Sequence, residues 1–387
     1  MFEFSSGSKK SEVVAIVDIG SASIGAAFLK VHSDAPSEII WSRRLLVPSA
    51  DREKPQVLSA IATALSQISA KGTSPSSTTH TSLEKPHKLY AVVHAPWAKS
   101  LSFQTEELFE KDEKISAAMI EKASQKSLKD LVYGKDTELL EANVMRVELN
   151  GHPSSAPIGK LARELTVHIL ATQIETSTKK VFADALRAVF PALQPIWRSH
   201  IRSVISFTRE NPAFPKDCCV IDMTNEGTTI SVVRNNMLSQ QITVSEGIDR
   251  IVSELSPKGL PEETLGLLRM LERDQCAGGM CDEIKSRMGS SEPELVRRFA
   301  APLGKLAEER PLPNKILLFT HPDLLGWLGH FFSRLDFAQF TITAQPFSVS
   351  TISPKDLERW VLSASGIASD SSILLASALV HNERQVK

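Results

Sequence analysis

The segment Ala15–Val31 reads AIVDIGSASIGAAFLKV. Two apolar runs, Val13–Val17 and Ile24–Val31, flank Asp18, Gly20, Ser21 and Ser23. Short apolar runs bounded by small polar residues read as core strands joined by a turn. Glu38–Val47 reads as a third strand. Pro55 then opens a helix whose Val57, Leu58, Ile61, Leu65 and Ile68 share one face. Leu89–Val93 is a further apolar strand. A hairpin, a helix and another strand predict a mixed α/β layer.

The second half repeats this plan in CCVIDMTNEGTTISVVRNN. Cys219–Asp222 reads as a strand, Thr224–Gly227 as a turn, Thr229–Val233 as a strand, Asn235-Asn236 as a turn and Leu238–Val244 as a third strand. The two copies lie about 200 residues apart, the spacing of two similarly built domains. Between them, Lys111–Leu131 is charged and helix-like, Val144–Leu149 alternates as a half-buried strand does, and Leu165–Leu170 is another strand. These form a small α+β insertion, after which a helix over Thr178–Val189 returns to the first domain. Further on, Glu246–Leu255, Pro261–Arg273, Glu294–Glu309, Asp323–Leu335 and Ser372–His381 read as helices and Lys315–Phe319 as a buried strand. Lys71–His87 is Ser/Thr/Pro-rich and reads as a mobile loop.

Composition narrows the function. The chain has 387 residues, of which 42% are hydrophobic, enough for a sizeable core. With a net charge of −1, no global field argues for nucleic acid or an anionic membrane as partner, and neither is expected. No run approaches the roughly 18–20 apolar residues of a membrane span, and MFEFSSGSKK lacks the apolar centre of a signal peptide. A cytoplasmic protein without direct membrane insertion is expected, also because Ser372–His381 reads as a core helix rather than a basic amphipathic one. Cys218 and Cys219 read as buried thiols. Cys276 and Cys281 lack a second pair at ligand spacing, so zinc is not expected there.

The turn residues suggest a chemistry. A tight turn presents backbone N–H groups that hold phosphate oxygens. An acid at the strand end orients hydrated Mg²⁺. Asp18 suits magnesium or its waters, Gly20 admits a close backbone approach, and Ser21 and Ser23 donate hydrogen bonds. Two such hairpins on facing domains would grip a nucleotide's phosphates.

Three segments, VDIGSASIGAAFLKV, VIDMTNEGTTISVVRNNMLSQQITVSEGIDRIVSEL and KILLFTHPDLLGWLGHFF, resemble the phosphate-1, phosphate-2 and adenosine motifs of actin-like ATPases. Within that superfamily the likeness is to the FtsA and PilM type. VMRVELNGHPSSAPIGKLARELTVHIL resembles the extra 1C (SHS2-type) subdomain of FtsA. The resemblance implies an α/β, actin-like (ribonuclease H-like) two-domain fold with a small α+β 1C-type insertion. Its parts would be 11–97 and 172–215 for the first domain and 98–171 for the insertion. The second domain would take 216–255 and 311–387, with a helical subdomain at 256–310. It also implies ATP and Mg²⁺ as cofactors. Asp222, Gly227 and Thr228 would lie at the second phosphate turn, with Asp18 and Asp222 holding Mg²⁺ through water.

The departures bear on activity. Thr224, Asn225 and Glu226 replace the glycines of the second turn, so side chains stand where bare backbone would meet phosphate. His321 and Pro322 replace the glycine pair of the adenosine motif, and His321 is bulky enough to fill the adenine slot. Slow or absent ATP hydrolysis is expected, and no catalytic group is identifiable. The resemblance implies a division adaptor working through a tubulin-like division protein or self-association into filaments. Its alternative is a PilM-like platform for pilus or secretion assembly that grips a peptide of an inner-membrane protein. A sugar kinase on the same fold would need intact glycine loops and a catalytic acid. Ser199-His200 in WRSHIRS reads as part of a surface or hinge helix, and Trp97, after His94, as a packing anchor.

Overall fold

The structure, a computed structural model, describes residues 12–47, 53–72, 85–129, 134–256 and 260–385. Most of the expected 71–87 loop, residues 73–84, lies outside them, as do residues 130 and 131 at the end of the expected 111–131 helix. The chain begins with β1 (Glu12–Ile19), β2 (Ser23–Val31), β3 (Ser37–Leu46), α1 (Lys54–Gly72) and β4 (Lys88–Val93). It continues through β5 (Ala98–Lys114), α2 (Ala117–Lys129), β6 (Thr137–Leu149), β7 (His152–Pro153) and β8 (Leu161–Glu175). Then come α3 (Thr176–Val189), β9 (Pro195–Ser199) and α4 (His200–Glu210). The second half holds β10 (Cys218–Met223), β11 (Thr228–Arg234), β12 (Met237–Val244), α5 (Ile248–Leu255), α6 (Pro261–Glu272), α7 (Gly279–Ala307) and β13 (Lys315–Phe319). It ends with α8 (Leu325–Phe332), β14 (Ser348–Ser350), α9 (Pro354–Leu357), β15 (Val361–Ser363) and α10 (Ser371–Gln385).

The repeated plan of the sequence becomes two sheets of matching order. The first runs β15-β3-β2-β1-β4-β9 and the second β12-β11-β10-β13-β14. In each, an antiparallel meander (β1-β2-β3, β10-β11-β12) is extended by parallel strands, β4 and β9 or β13 and β14. The match extends to register. Asp18 lies opposite Gly25 in one hairpin, and Asp222 lies opposite Thr229 in the other, each one residue before its strand ends.

Strand alternation divides the core in two. Val13, Ala15, Val17 and Ile19 face α1 and α3, packing with Val57, Ile61, Leu65, Phe182 and Leu186. Val14 and Ile16 point the other way, into a cluster with α4 and α10. Val220 and Cys218 of the second sheet join that same cluster, while Cys219 and Ile221 face α5 to α8. The helices α4 and α10 therefore share one core with both sheets. This corrects two readings. The segment at Ser199-His200 is not a surface helix: α4 is buried over His200–Thr208. Residues 361–385 do not belong with the second sheet, because β15 adds to β3 and α10 packs on β1 and β2.

The insertion forms its own sheet, β5-β8-β6-β7, with α2 on one face. Residues 111–114 belong to β5 rather than to a helix. This end of the strand is charged (EELFEKDEK), so its composition resembles a solvated helix while its backbone edge pairs with β8. The insertion touches the second half, where Ser100 N–H donates to Gln241 Oε1 at 2.9 Å. Cys276 and Cys281 form a disulfide. No helix among the described residues is long and apolar enough to cross a membrane.

Candidate functional site

The ends of β1, β4 and β9 face the end of β10, and this cleft holds the candidate site. Asp18, one residue before the end of β1, is 1% exposed. Both of its carboxylate oxygens are engaged. Arg44, from β3, donates from Nη2 to Asp18 Oδ2 at 2.7 Å. His94, directly after β4, places Nε2 2.6 Å from Asp18 Oδ1. The other ring nitrogen of His94, Nδ1, lies 3.6 Å from Asp222 Oδ2. One imidazole therefore spans the carboxylates of the two hairpins. His200, the first residue of α4, stacks on His94 with ring centroids 3.9 Å apart, and its other side meets the Phe319 ring edge-on at 4.8 Å.

Arg44 reaches further. Its Nη1 donates to Ser23 Oγ at 2.8 Å, and Nε and Nη2 grip Asp370, at the start of α10, at 2.8 and 2.9 Å. Gly25 makes room for it: a Cβ there would fall 2.7 Å from the guanidinium and from Ile373.

The electrostatics follow from burial and pairing. Burial alone would raise the Asp18 carboxyl, but the charges of His94 and Arg44 outweigh it and hold the group well below the usual carboxylate range. Burial opposes charge on His94, yet Asp18 and then Asp222 push it up to about 10. His200 is lowered to about 4 by burial and by the neighbouring His94 charge. Asp222 resists the upward push of burial through its contacts with His94 and His200, which lower it.

The other expected site residues are placed differently. The Gly20–Ser23 turn is closed by Gly20 N–H donating to Ser23 O at 3.1 Å, and Trp97 Nε1 donates to Gly20 O at 3.3 Å. Ser21 is buried. In the second turn, the N–H and Oγ1 of Thr224 donate to Gly227 O at 2.8 and 2.9 Å. Thr228 is fully buried and donates from Oγ1 to Glu246 O at 2.6 Å. Asp18 and Ser23 thus meet through Arg44, and Asp18 and Asp222 through His94. Gly20, Gly227 and Thr228 are tied into the packing of their own turns. His321 accepts from Asp323 N–H at 3.3 Å and caps a 3₁₀ turn, while Asp323 is held by Arg269 at 2.7 and 2.6 Å. Ser199 Oγ donates to Glu141 at 2.6 Å, so it forms no nucleophilic pair with His200.

A small cavity of about 20 Å³ borders the cluster, lined among others by Ser199, His200, Asp222, Thr229 and Gln241. That volume holds about one water molecule. Ligand pockets for nucleotide-sized molecules run to about 300 Å³ or more. With Asp18 already paired to two cations, the residues of this cleft do not fit a triphosphate with its magnesium in the arrangement described.

No known family profile matches the sequence, and no curated protein matches it. Solved structures do. A chain of the PilM–PilN type IV pilus biogenesis complex is 11% identical, covers 97% of this chain and 98% of its own, and superposes with a TM-score of 0.55. A Bacteroides thetaiotaomicron protein with an actin-like ATPase fold is 7% identical over 98% and 99% of the two chains, with a TM-score of 0.41. The ethanolamine utilization protein EutJ from Carboxydothermus hydrogenoformans is 11% identical over 95% and 89%, with a TM-score of 0.43. From the first of these similarities and the two sheets of matching order, the chain has a two-domain actin-like fold, similar to that of the pilus biogenesis complex chain.

Proposed function

We propose that this chain is a PilM-like binding platform whose cleft is held by its own side chains rather than by a nucleotide. The carrying observation is the pairing of Asp18 with Arg44 and His94, at the strand end where the sequence resemblance implies phosphate and metal. Arg44 and His94 supply the positive charge that magnesium would bring to Asp18. They also anchor α10 and β10 to the first sheet, through Asp370 and Asp222. A frame fixed in this way presents constant surfaces to a partner and needs no turnover. Likeness to a chain of a pilus biogenesis complex supports the pilus alternative over the division adaptor. The partner proposed is a pilus-assembly protein of the inner membrane, which would also recruit the chain to that membrane from the cytoplasm.

Two measurements test this reading. Calorimetric titration with Mg·ATP should give no binding, and phosphate release should stay at the level of the Asp18→Ala control. Micromolar binding abolished by Asp18→Ala would overturn the side-chain-filled cleft. Cross-linking in the native cell, followed by purification and mass spectrometry, should recover a pilus-assembly protein. Recovery of a tubulin-like division protein instead would return the chain to the division reading.

A further inference from the structure

We propose that His94, His200 and Asp222 form a binding site for one divalent transition-metal ion of the zinc class, with Asp18 orienting His94 from behind. The ligand atoms of the three residues all lie within 4.8 Å of one another. A tetrahedral ion with donors at about 2.1 Å separates them by about 3.4 Å. His94 Nδ1 and Asp222 Oδ2 are already 3.6 Å apart, so one ion seated between them requires almost no movement. His200 must leave its stack on His94, where the ring centroids lie 3.9 Å apart, to turn a ring nitrogen toward the same ion.

Three further observations support a metal over a hydrogen-bonded cluster. First, His200 is 4% exposed, and its Nε2 is buried without a hydrogen-bond partner among the described residues. A buried ring nitrogen left unpaired is unfavourable, and coordination would satisfy it. Second, the His94 Nε2 to Asp18 contact of 2.6 Å is the arrangement in which a carboxylate fixes the tautomer of a metal-binding histidine. It leaves Nδ1, which faces Asp222, as the donor. Third, His200 and Asp222 line the cavity of about 20 Å³, room for the water that completes a four-coordinate ion.

The donor set selects the ion. Two imidazoles and one carboxylate suit Zn²⁺, Co²⁺ and related ions, whereas Mg²⁺ and Ca²⁺ prefer oxygen alone. The site is therefore chemically distinct from a magnesium–phosphate site in the same cleft. His94 follows β4 and His200 follows β9 of the first sheet, while Asp222 belongs to the second. A bound ion would clamp the two halves, with the metal replacing the positive charge that His94 otherwise carries between Asp18 and Asp222. This site does not depend on which partner the chain binds.

The test uses the full chain, freed of any polyhistidine tag and stripped with chelator. Co²⁺ titration should produce a visible absorption band that saturates at one ion per chain, and Zn²⁺ should displace it. Competition against a chromophoric chelator should give a Zn²⁺ dissociation constant of about 1 µM or tighter, with no competition by Mg²⁺. His200→Gln and Asp222→Asn, which keep side-chain size, should each weaken Zn²⁺ by about a hundredfold. Absence of the cobalt band in the unmodified protein would overturn the proposal whatever the variants do. So would zinc binding that survives both substitutions, since the ion would then lie elsewhere.

Discussion

Replacing Arg44 by leucine tests whether the cleft is held by charge pairing. Arg44 has two kinds of partner. Asp370 is 39% exposed on its side chain, and ion pairs of that kind contribute about 0–1 kcal/mol. Asp18 is 1% exposed, and stripping a partner from a buried pair leaves an uncompensated charge that costs about 3–5 kcal/mol. His94 still contacts the other oxygen of Asp18, so the lower end applies and Arg44→Leu should destabilise by about 3 kcal/mol. Urea unfolding followed by tryptophan fluorescence measures it. The double variant Asp18→Asn/Arg44→Leu removes both charges and should regain at least about 1 kcal/mol relative to Arg44→Leu, as coupled neighbours do. Asp370→Asn alone should lose about 1 kcal/mol or less from the ion pair. A loss below about 1 kcal/mol for Arg44→Leu, or the same loss with and without the Asp18 carboxylate, would refute the reasoning.

Gly25→Ala should destabilise by about 1–3 kcal/mol, because its Cβ would meet Arg44 and Ile373 at 2.7 Å. The loss should shrink in the Arg44→Leu background. Gly266→Ala, in α6 with nothing within 4 Å of the new Cβ, should instead stabilise by about 0.5–1 kcal/mol in the same urea assay. Gly247→Ala should sharply reduce soluble yield, since its Cβ would lie 2.2 Å from Asn225 O and 2.5 Å from Gly227 N. Burial, with the Asp217 charge added, pushes the Cys218 thiol up to about 12, and burial raises Cys219 as well. Neither should react with a thiol reagent at pH 8 in the native protein. The denatured protein should show two reactive thiols without reductant and four with it, given the Cys276–Cys281 bond.

The sequence made the two hairpins legible because each is a short-range pattern: an apolar run, an acid, small polar residues, an apolar run. The continuous burial of Val13–Ile19 and of Cys218–Ile221 follows from short apolar runs and needs no long-range information. The long strand β5 was not legible, since a strand with one solvated face and a bulge near Leu108–Glu113 has the composition of a charged helix. The return of β15 and α10 to the first sheet was hidden for a different reason. Pairing between residues more than 300 positions apart leaves no local mark: Val361 lies opposite Ser37, and Arg44 meets Asp370.

The candidate site shows the same division. Asp18 and Asp222 stood out at matching strand ends, but their partners did not, because Arg44 sits within an ordinary third strand, two residues before its end. Yet a signal existed for the histidines. His94 directly follows β4 and His200 directly follows β9, and both strands run parallel to β1, so their ends reach the edge of the sheet where Asp18 lies. A polar, titratable residue immediately after a buried parallel strand is placed by topology beside the acids at neighbouring strand ends. His94 also carries this arrangement across the cleft, from Asp18 to Asp222. A buried acid at a strand end must either lose its charge or find a cation within the chain. Here Arg44 and His94 supply it.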